Sequence, residues 1–348
     1  MRSLKTLGPL ALTIGLLGAC DLPTEAPMLE QRWVVSVDDA TIGVDELLPT
    51  GVSASGNAFS VSVDPVTTSE VLGTLCSSCA ALNGLTTNKP AFDGTFSTTA
   101  SLPGEVSSAE LSSGSIDVTI RNNFSFDPIQ PGGGSTGTVT ITISDQSSGM
   151  VLGQTVLDGA TDALPAGASV TRVVSLTSAT VGSTLMAAVE VDSPAGAMVT
   201  INTSESIQVT ATPSSILVSS ATVDVSGQDV TIDPVDLDVG DIDSTITDHI
   251  QNGAIILEIT NPFGVGISGT LDINYPGGTI SKSLTIPAQP TSTATLSYSG
   301  EELRSFLGQT GVVLTGNASV TGGGLITVTP GEVATLGSKI DLTLQIGG

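Results

Sequence analysis

Residues 114–124 read GSIDVTIRNNF, and residues 253–263 read GAIILEITNPF. The two stretches share a glycine, two isoleucines, an asparagine and a phenylalanine at one constant offset. Apolar residues fall on alternate positions in each stretch, and this period of two is typical of a β-strand with one buried face. A repeated strand-forming segment therefore decides the fold prediction.

The match between the two halves continues downstream in the same order along the chain. The further matching pairs are 137–141 with 269–273, Pro165-Ala166 with Pro287-Ala288, 193–196 with 320–323, and 199–201 with 326–328. Collinear matches with small changes of offset are expected when one domain has been duplicated and its loops have varied in length. We therefore predict two related domains.

Strand signals dominate the rest of the sequence. Apolar positions alternate with Thr, Ser and Asp over 139–143 and 340–346, and the clusters at 131–134, 276–278 and 322–324 are rich in glycine, as turns are. Helix signals are few. Residues 299–302 read SGEE, which predicts a capping box and a two-turn helix before Gly308, and the Ile242, Ile246 and Ile250 spacing predicts another short helix.

The predicted fold class is all-β, with two tandem β-sandwiches and a smaller N-terminal module. With about seven strands each, the repeats resemble immunoglobulin-type sandwiches. Residues 261–263 (NPF) and 122–124 (NNF), each directly after a strand, also resemble the LEA14/water-stress type of sandwich. This resemblance implies a fold and a binding or structural role, and it supplies no active-site residues.

The predicted organisation has six segments. A short helix is expected over 68–82 of the N-terminal module, which is β or α+β, or alternatively an incomplete sandwich completed by strands of the first repeat. The segments are a signal peptide (1–19), a tether (20–31), the N-terminal module (32–110), the first sandwich repeat (111–228), an acidic linker with a short helix (229–251) and the second sandwich repeat (252–348).

The N-terminal residues carry a targeting pattern. Arg2 and Lys5 precede an apolar run over 7–18, which ends in LGAC at 17–20. This resembles a bacterial lipoprotein signal, and the resemblance implies cleavage before Cys20 and covalent acylation of Cys20. The expected location is the bacterial cell envelope, on the periplasmic or outer face of a membrane, with the membrane bound through the lipid anchor. The alternatives are an uncleaved anchor helix and an ordinary signal peptide.

Composition excludes several classes of function. The 348 residues include 9 Lys and Arg against 34 Asp and Glu, which gives a formal net charge of −25. Nucleic-acid binding needs a basic surface that so few cations do not provide. Aromatic residues make up only 3%, and His249 is the sole histidine. The pattern Gly-x-Ser-x-Gly occurs at 133–137, but within a glycine-rich turn and not at a strand-to-helix turn that could present a nucleophile, so we predict no enzymatic activity.

The remaining cysteines, Cys76 and Cys79, lie three positions apart. An oxidising compartment favours a local structural disulfide between them. A redox motif is the alternative, but the helix-start context that lowers a thiol pKa is missing. A zinc site would need further Cys or His ligands that the sequence does not supply.

An acidic run lies between the two repeats. Such a run is most simply a solvated linker whose acids cap a short helix, and calcium binding is the alternative, because Ca²⁺ prefers several oxygen ligands. No other cofactor is expected. The candidate calcium ligands are Asp233, Asp236, Asp238, Asp241 and Asp243.

These features together predict a non-enzymatic, membrane-anchored extracytoplasmic lipoprotein. Its expected role is that of a structural or accessory subunit that docks a protein partner or membrane complex, because the faces and edges of β-domains commonly serve as docking surfaces. The alternative is a carrier of a lipid or another apolar ligand, which requires an enclosed apolar cavity. A surface adhesin is a third possibility, disfavoured by the scarcity of aromatic residues.

Overall fold

A computed structural model describes residues 28–322 and 324–346 and places twenty-two strands in these ranges. The predicted signal peptide, Cys20 and most of the predicted tether lie outside the described residues. The first eleven strands are β1 (Leu29–Gly43), β2 (Val52–Ser55), β3 (Ala58–Val61), β4 (Val66–Val71), β5 (Thr86–Asn88), β6 (Phe92–Ser101), β7 (Val106–Asn122), β8 (Thr138–Asp145), β9 (Val151–Asp158), β10 (Ser169–Leu176) and β11 (Ala179–Gly182). The others are β12 (Thr184–Ser193), β13 (Met198–Thr200), β14 (Ser206–Asp224), β15 (Asp229–Asp236), β16 (Ile250–Thr260), β17 (Gly266–Tyr275), β18 (Gly278–Ile286), β19 (Thr291–Ser299), β20 (Val313–Thr321), β21 (Leu325–Val328) and β22 (Val333–Ile346).

Three short α-helices interrupt the strands: α1 (Leu72–Leu75), α2 (Ser244–Thr247) and α3 (Gly300–Phe306). The predicted capping box is confirmed at α3, where the Ser299 hydroxyl accepts from the Glu302 N–H and the Glu302 carboxylate accepts from the Ser299 N–H. The helix expected over 68–82 is only partly correct. Residues 68–71 belong to β4, because they pair with β14, and only α1 and a 3-10 turn over Ser77–Leu82 follow.

The strands form two β-sandwiches, and every ladder is antiparallel. The outer sandwich consists of the sheets β1-β22-β16-β19 and β15-β20-β17-β18. The inner sandwich consists of the sheets β4-β14-β7-β10 and β6-β12-β8-β9. The all-β fold class with two sandwiches is therefore confirmed.

The two sandwiches have the same sheet order, as the sequence repeat predicts. Strands β7, β8, β12 and β14 of the inner sandwich occupy the positions of β16, β17, β20 and β22 in the outer one. The matched segments 114–124 and 253–263 thus lie in equivalent central strands. Both strands end at an asparagine-containing turn. Strand β7 lies between β14 and the edge strand β10, and β16 lies in the same way between β22 and the edge strand β19.

The predicted segment boundaries need one correction, because the inner sandwich is inserted into the outer one. Strand β1 pairs with β22 from Leu29 opposite Ile346 to Gly43 opposite Val333. The chain then builds the inner sandwich before β15 returns to the outer one. Residues 32–110 therefore form no separate module, since they are divided between both sandwiches. Residues 229–236 of the predicted linker are an edge strand paired with β20, which the alternation of Val230 and Ile232 with polar residues explains.

Two long strands join the sandwiches. Strands β7 and β14 continue beyond the inner sandwich, and their far halves pair with β11, β3 and β21. Strand β21 belongs to a connection of the outer sandwich, and Thr222 and Thr327 hydrogen-bond across this ladder. The two units are thus linked by backbone pairing as well as by covalent connections.

Each sandwich buries the apolar side of its alternating strands. Dense apolar packing of this kind is the main favourable contribution to folding. Buried central residues include Val118, Ile120, Ile141, Val189 and Val191 in the inner core and Ile255, Leu257, Ile273, Ile340 and Leu342 in the outer core.

A buried asparagine closes the equivalent turn in each sandwich. Asn122 is fully buried, and its amide donates to the carbonyls of Phe126 and Leu164 while its oxygen accepts from the Phe124 N–H. Asn261 makes the corresponding contacts with Val265, Pro287 and Phe263. Because a buried backbone group without a partner is costly, these amides fix the turns that follow β7 and β16. The shared asparagine of the sequence repeat is therefore structural.

Candidate functional site

Cys76 and Cys79 are bonded to each other in a buried corner of the inner sandwich. The bond closes the turn between α1 and the 3-10 segment, and α1 docks through the Leu72 and Gly73 N–H groups, which donate to the carbonyls of Glu205 and Thr203. Both cysteines are at most 1% exposed. A buried disulfide of this kind staples a corner of the fold, which fits a structural role.

The acidic run is dispersed rather than gathered. Asp233 and Asp236 lie on β15, whereas Asp243 caps α2 by accepting from the Thr245 N–H and hydroxyl. The Thr245 hydroxyl and N–H lower the pKa of Asp243. Asp238 follows β15 with a positive φ of 44°. Within residues 28–322 and 324–346, no group of three or more Asp, Glu, His or Cys is arranged to hold a metal ion.

Asp145 is a buried acid that the sequence did not single out. It ends β8, and its carboxylate accepts from the Ser147 hydroxyl, the Ser148 hydroxyl and N–H, and the Gly182 N–H. Burial raises the pKa of Asp145, but these four hydrogen bonds together hold it well below its usual range. Because its acceptor capacity is used by the turn, Asp145 organises the β8–β9 hairpin.

Lys89 is the most unusual side chain of the inner sandwich. It is 1% exposed, and its Nζ donates to the carbonyls of Pro90 (3.0 Å), Ser193 (3.4 Å) and Pro194 (2.5 Å). Burial lowers the pKa of the Lys89 ammonium to about 8, and the charge of Asp192 opposes this shift. Buried lysines of this kind are rare, and carbonyl dipoles offset part of the desolvation cost.

Two phenylalanine rings lie against this ammonium and a third packs on them, and we call this group the Lys89 cage. The Lys89 Nζ lies 4.7 Å from the ring centroid of Phe92 and 5.3 Å from that of Phe126, within the range of cation–π attraction. Phe124 stacks on Phe126 at 5.3 Å between centroids. The cage joins the connections before β6, after β7 and after β12. It is filled by the protein's own lysine, so it locks one end of the inner sandwich.

The single tryptophan and the single histidine line one cleft of the outer sandwich. This cleft, which we call the Trp33 cleft, has a volume of about 130 Å³ and is lined by Trp33, Thr245, Ile246, His249, Leu344 and Ile346. The His249 Nδ1–H donates to the Thr245 carbonyl at 2.8 Å, which fixes the ring at the rim. His249 is exposed, and its surroundings here are apolar. No local pattern in the sequence indicates that His249 lies beside an apolar cleft, because the cleft residues come from distant segments.

Two edge strands of the inner sandwich carry exposed apolar side chains. Strand β9 ends one sheet and β10 ends the other, and the Thr177 N–H donates to the Leu152 carbonyl where the two edges meet. Along the rest of these edges Val151, Val156 and Val173 are 56%, 44% and 62% exposed. Neither strand contains proline, and each contains one charged residue. Edges with so little protection by proline or charge can serve as templates for a further strand.

The inner core offers little room for an apolar ligand. The apolar cavity between its sheets, bounded by Val66, Ile116, Ile143 and Leu185 among others, has a volume of about 20 Å³. That is close to the space of one water molecule and far below the several hundred Å³ of typical ligand pockets. This cavity therefore does not favour the carrier alternative.

No helix within residues 28–322 and 324–346 has the length and apolar character needed to cross a membrane. No protein-family model and no curated protein matches the sequence.

Similar solved structures share only low TM-scores with this chain. A candidate secreted protein from Parabacteroides distasonis ATCC 8503 has a TM-score of 0.32 and 12% identity, covering 90% of this chain and 99% of its own. The VP2 subviral particle protein of infectious bursal disease virus has a TM-score of 0.19 and 12% identity, covering 92% and 72%. The CBM22-1–CBM22-2 tandem domain of Paenibacillus barcinonensis Xyn10C has a TM-score of 0.17 and 10% identity, covering 88% and 98%. At these scores none of the likenesses bears on what the chain does.

Proposed function

We propose that this chain is a lipid-anchored, extracytoplasmic, non-enzymatic protein that docks a protein partner through the paired edges of β9 and β10. The observation that carries the proposal is the exposure of Val151, Val156 and Val173 on two edge strands that lie side by side and contain no proline. A partner strand added there gains main-chain hydrogen bonds from the ladder and specificity from the valine side chains.

Two further features support the location. The buried Cys76–Cys79 bond is a type of cross-link that persists in oxidising compartments. The LGAC sequence at 17–20 resembles the acylation site of bacterial lipoproteins, and it precedes β1 by only a short segment. Acylation of Cys20 would hold the outer sandwich at a membrane and present the inserted inner sandwich to a partner.

The strong negative charge fits this arrangement. The formal net charge of −25 keeps a β-rich surface soluble and discourages pairing between copies of the chain. A partner that carries positive charge around an apolar edge would be attracted by the same field, since long-range attraction mainly accelerates association.

The test is purification of the full-length chain from native membranes in a mild detergent. We expect a defined partner to be recovered with the wild-type protein and lost with the Val156→Lys/Val173→Lys variant, because a lysine at each edge blocks strand addition. Val333→Lys is the matched control, since Val333 is 41% exposed on the outer sandwich and should retain the partner. Recovery of the wild-type protein alone, or equal loss of the partner in the control, would contradict the proposal.

A further inference from the structure

The Trp33 cleft lies at the end of the outer sandwich from which the chain continues towards Cys20. Strand β1 starts at this end, and Leu29 faces Ile346 across the β1–β22 ladder. The Gln345 amide contacts the Met28 sulfur at 2.8 Å. Both ends of the described chain therefore emerge beside the same cleft.

Apolar exposure is concentrated around this cleft. Met28 and Leu29 are 65% and 63% exposed, and Trp33 and Ile346 are 37% and 43% exposed. Ile246 of α2 closes the other side of the cleft, next to His249. A cluster of exposed apolar side chains on a protein surface marks a candidate binding site.

The length of chain before Met28 limits what can cover this surface. Eight residue steps separate Cys20 from Met28. A fully extended chain of that length spans at most about 28 Å. An acylated Cys20 lies at the surface of the bilayer, so the Trp33 cleft would be held within that distance of the lipid headgroups. This step rests on the lipid anchor proposed above.

We propose that the Trp33 cleft is a membrane-contact surface that lies on the phospholipid bilayer, with Trp33 in the headgroup region. An indole ring with an apolar body and one N–H donor is suited to the interface between hydrocarbon and water. Met28, Leu29, Ile246 and Ile346 add apolar area around it. The acylated cysteine and the cleft then act as two attachments at one end of the molecule.

Charge does not drive this contact. Exposed Glu30, Asp243 and Asp248 lie within three positions of cleft residues in the sequence, and the guanidinium of nearby Arg32 is engaged by Asp341. The contact is therefore apolar. It should weaken as the proportion of anionic lipid rises and should be insensitive to salt on zwitterionic vesicles.

The chain provides its own probe, because Trp33 is the only tryptophan. The processed full-length protein is bound to phosphatidylcholine vesicles, and the emission of Trp33 is compared between ordinary lipids and lipids brominated near the headgroup. We expect a blue-shifted emission and about twofold quenching by the brominated lipid, since indole at the interface is within reach of the bromine atoms. Unchanged emission of vesicle-bound protein would overturn the proposal.

Matched variants separate this surface from general proximity to the membrane. Ile246→Asn and Ile346→Asn should abolish most of the quenching. Val34→Asn should leave it intact, because Val34 is 56% exposed but lies one position from Trp33, on the opposite face of β1. Equal loss in the Val34 variant would overturn the proposal. The wild-type measurement stands even if a cleft variant does not fold.

The anchor and the surface can be tested separately. Mass measurement and flotation show whether Cys20 is acylated. If it is not, the Cys20 thiol, which lies outside the Cys76–Cys79 bond, is coupled to a maleimide lipid before the Trp33 measurement. Quenching then supports the membrane-contact surface while the natural anchor is refuted, and its absence overturns the surface. A blue shift that depends on protein concentration without vesicles would assign the cleft to a second copy of the chain instead.

Discussion

At the scale of single residues, the interior of the inner sandwich is organised by a few polar groups. Lys89 joins three connections through carbonyl oxygens and two aromatic faces, and Asn122 joins the turn after β7 to the loop before β10. Both side chains act at the same end of the sandwich, since the phenylalanines of the Asn122 turn form the cage around Lys89. A charge and an amide thus replace part of the apolar core there.

Lys89 makes the stability of the inner sandwich depend on pH in a defined direction. Its pKa is about 8 in the folded protein, against 10.5 for a lysine exposed to water, so between these values the unfolded chain holds a proton that the folded chain has released. The free energy of unfolding therefore rises with pH from about 8 to 10.5, by up to about 3 kcal/mol. Urea unfolding of the inner sandwich should show this rise in the wild-type protein and not in Lys89→Met.

The control for this prediction is Lys339→Met, which removes an exposed lysine paired with Glu258. This variant should keep the wild-type slope, because exposed ion pairs contribute little to stability. A Lys89→Met variant that follows the wild-type slope over the same pH range would contradict the assignment.

At the scale of elements, local patterns predict the structure well and long-range pairings escape them. The alternating strands and the capping box of α3 follow from residues close together in the sequence. The sequence predicts a helix from residue 68, within β4, because the strand partner of β4, residues 206–211 of β14, lies far along the chain and leaves no local sign of the pairing. The acids of β15 suggest a solvated linker, since nothing local shows that β20 pairs with them.

The functional-site residues show the same difference between local and long-range signals. The cysteine spacing, together with the oxidising compartment that the N-terminal signal implies, predicts the local bond between Cys76 and Cys79. The Trp33 cleft, by contrast, combines residues from β1, α2 and β22, and no signal in the sequence connects Trp33 with His249 or Ile346. The Lys89 cage likewise combines connections that are more than a hundred positions apart. The Trp33 cleft depends on the insertion of one sandwich in the other, and the Lys89 cage depends on strand pairing within the inner sandwich; the sequence repeat reveals neither.

The disulfide corner between β4 and β5 should contribute modestly to stability. A cross-link that closes so short a loop removes little entropy from the unfolded chain, so Cys76→Ala/Cys79→Ala should lower the free energy of unfolding by about 2 kcal/mol. Urea unfolding with and without reductant measures this effect. The reductant should shift the wild-type transition and leave the variant unchanged, and Ser77→Ala should behave as wild type. Equal stability of variant and wild type would contradict the structural role.

At the scale of the whole molecule, the nested connectivity makes the two sandwiches unequal. The outer sandwich must bring β1 together with strands that follow the entire inner sandwich. Two segments connect the sandwiches, one after β1 and one before β15. While the inner sandwich is folded, it holds these two segments near each other. When it is unfolded, the same segments bound a long flexible loop, and loop closure then costs additional entropy.

Core substitutions in the inner and the outer sandwich should therefore destabilise different parts of the molecule. Val189→Ala in the inner core should accelerate amide hydrogen exchange in both sandwiches. When the inner sandwich unfolds, the chain between β1 and β15 becomes a flexible loop, and the entropy cost of closing this loop destabilises the outer sandwich. Leu342→Ala in the outer core should accelerate exchange in β16, β19 and β22 and leave β8 and β12 protected. Each residue is 1% exposed, so the two substitutions are matched in burial. Identical exchange patterns for the two variants would contradict this asymmetry.

The course of β1 has a mechanical consequence. A pull between a membrane-bound Cys20 and a partner on the inner sandwich would run along β1, from Leu29 to Gly43, and pass directly into Val44. This strand is already extended, at about 3.3 Å per residue, so tension has almost no length left to draw out of it. The covalent path from Cys20 to the inner sandwich passes through no other strand of the outer sandwich. Under the proposed anchoring, β1 would therefore act as a short, nearly inextensible link at the edge of the outer sandwich, held in place by its ladder with β22.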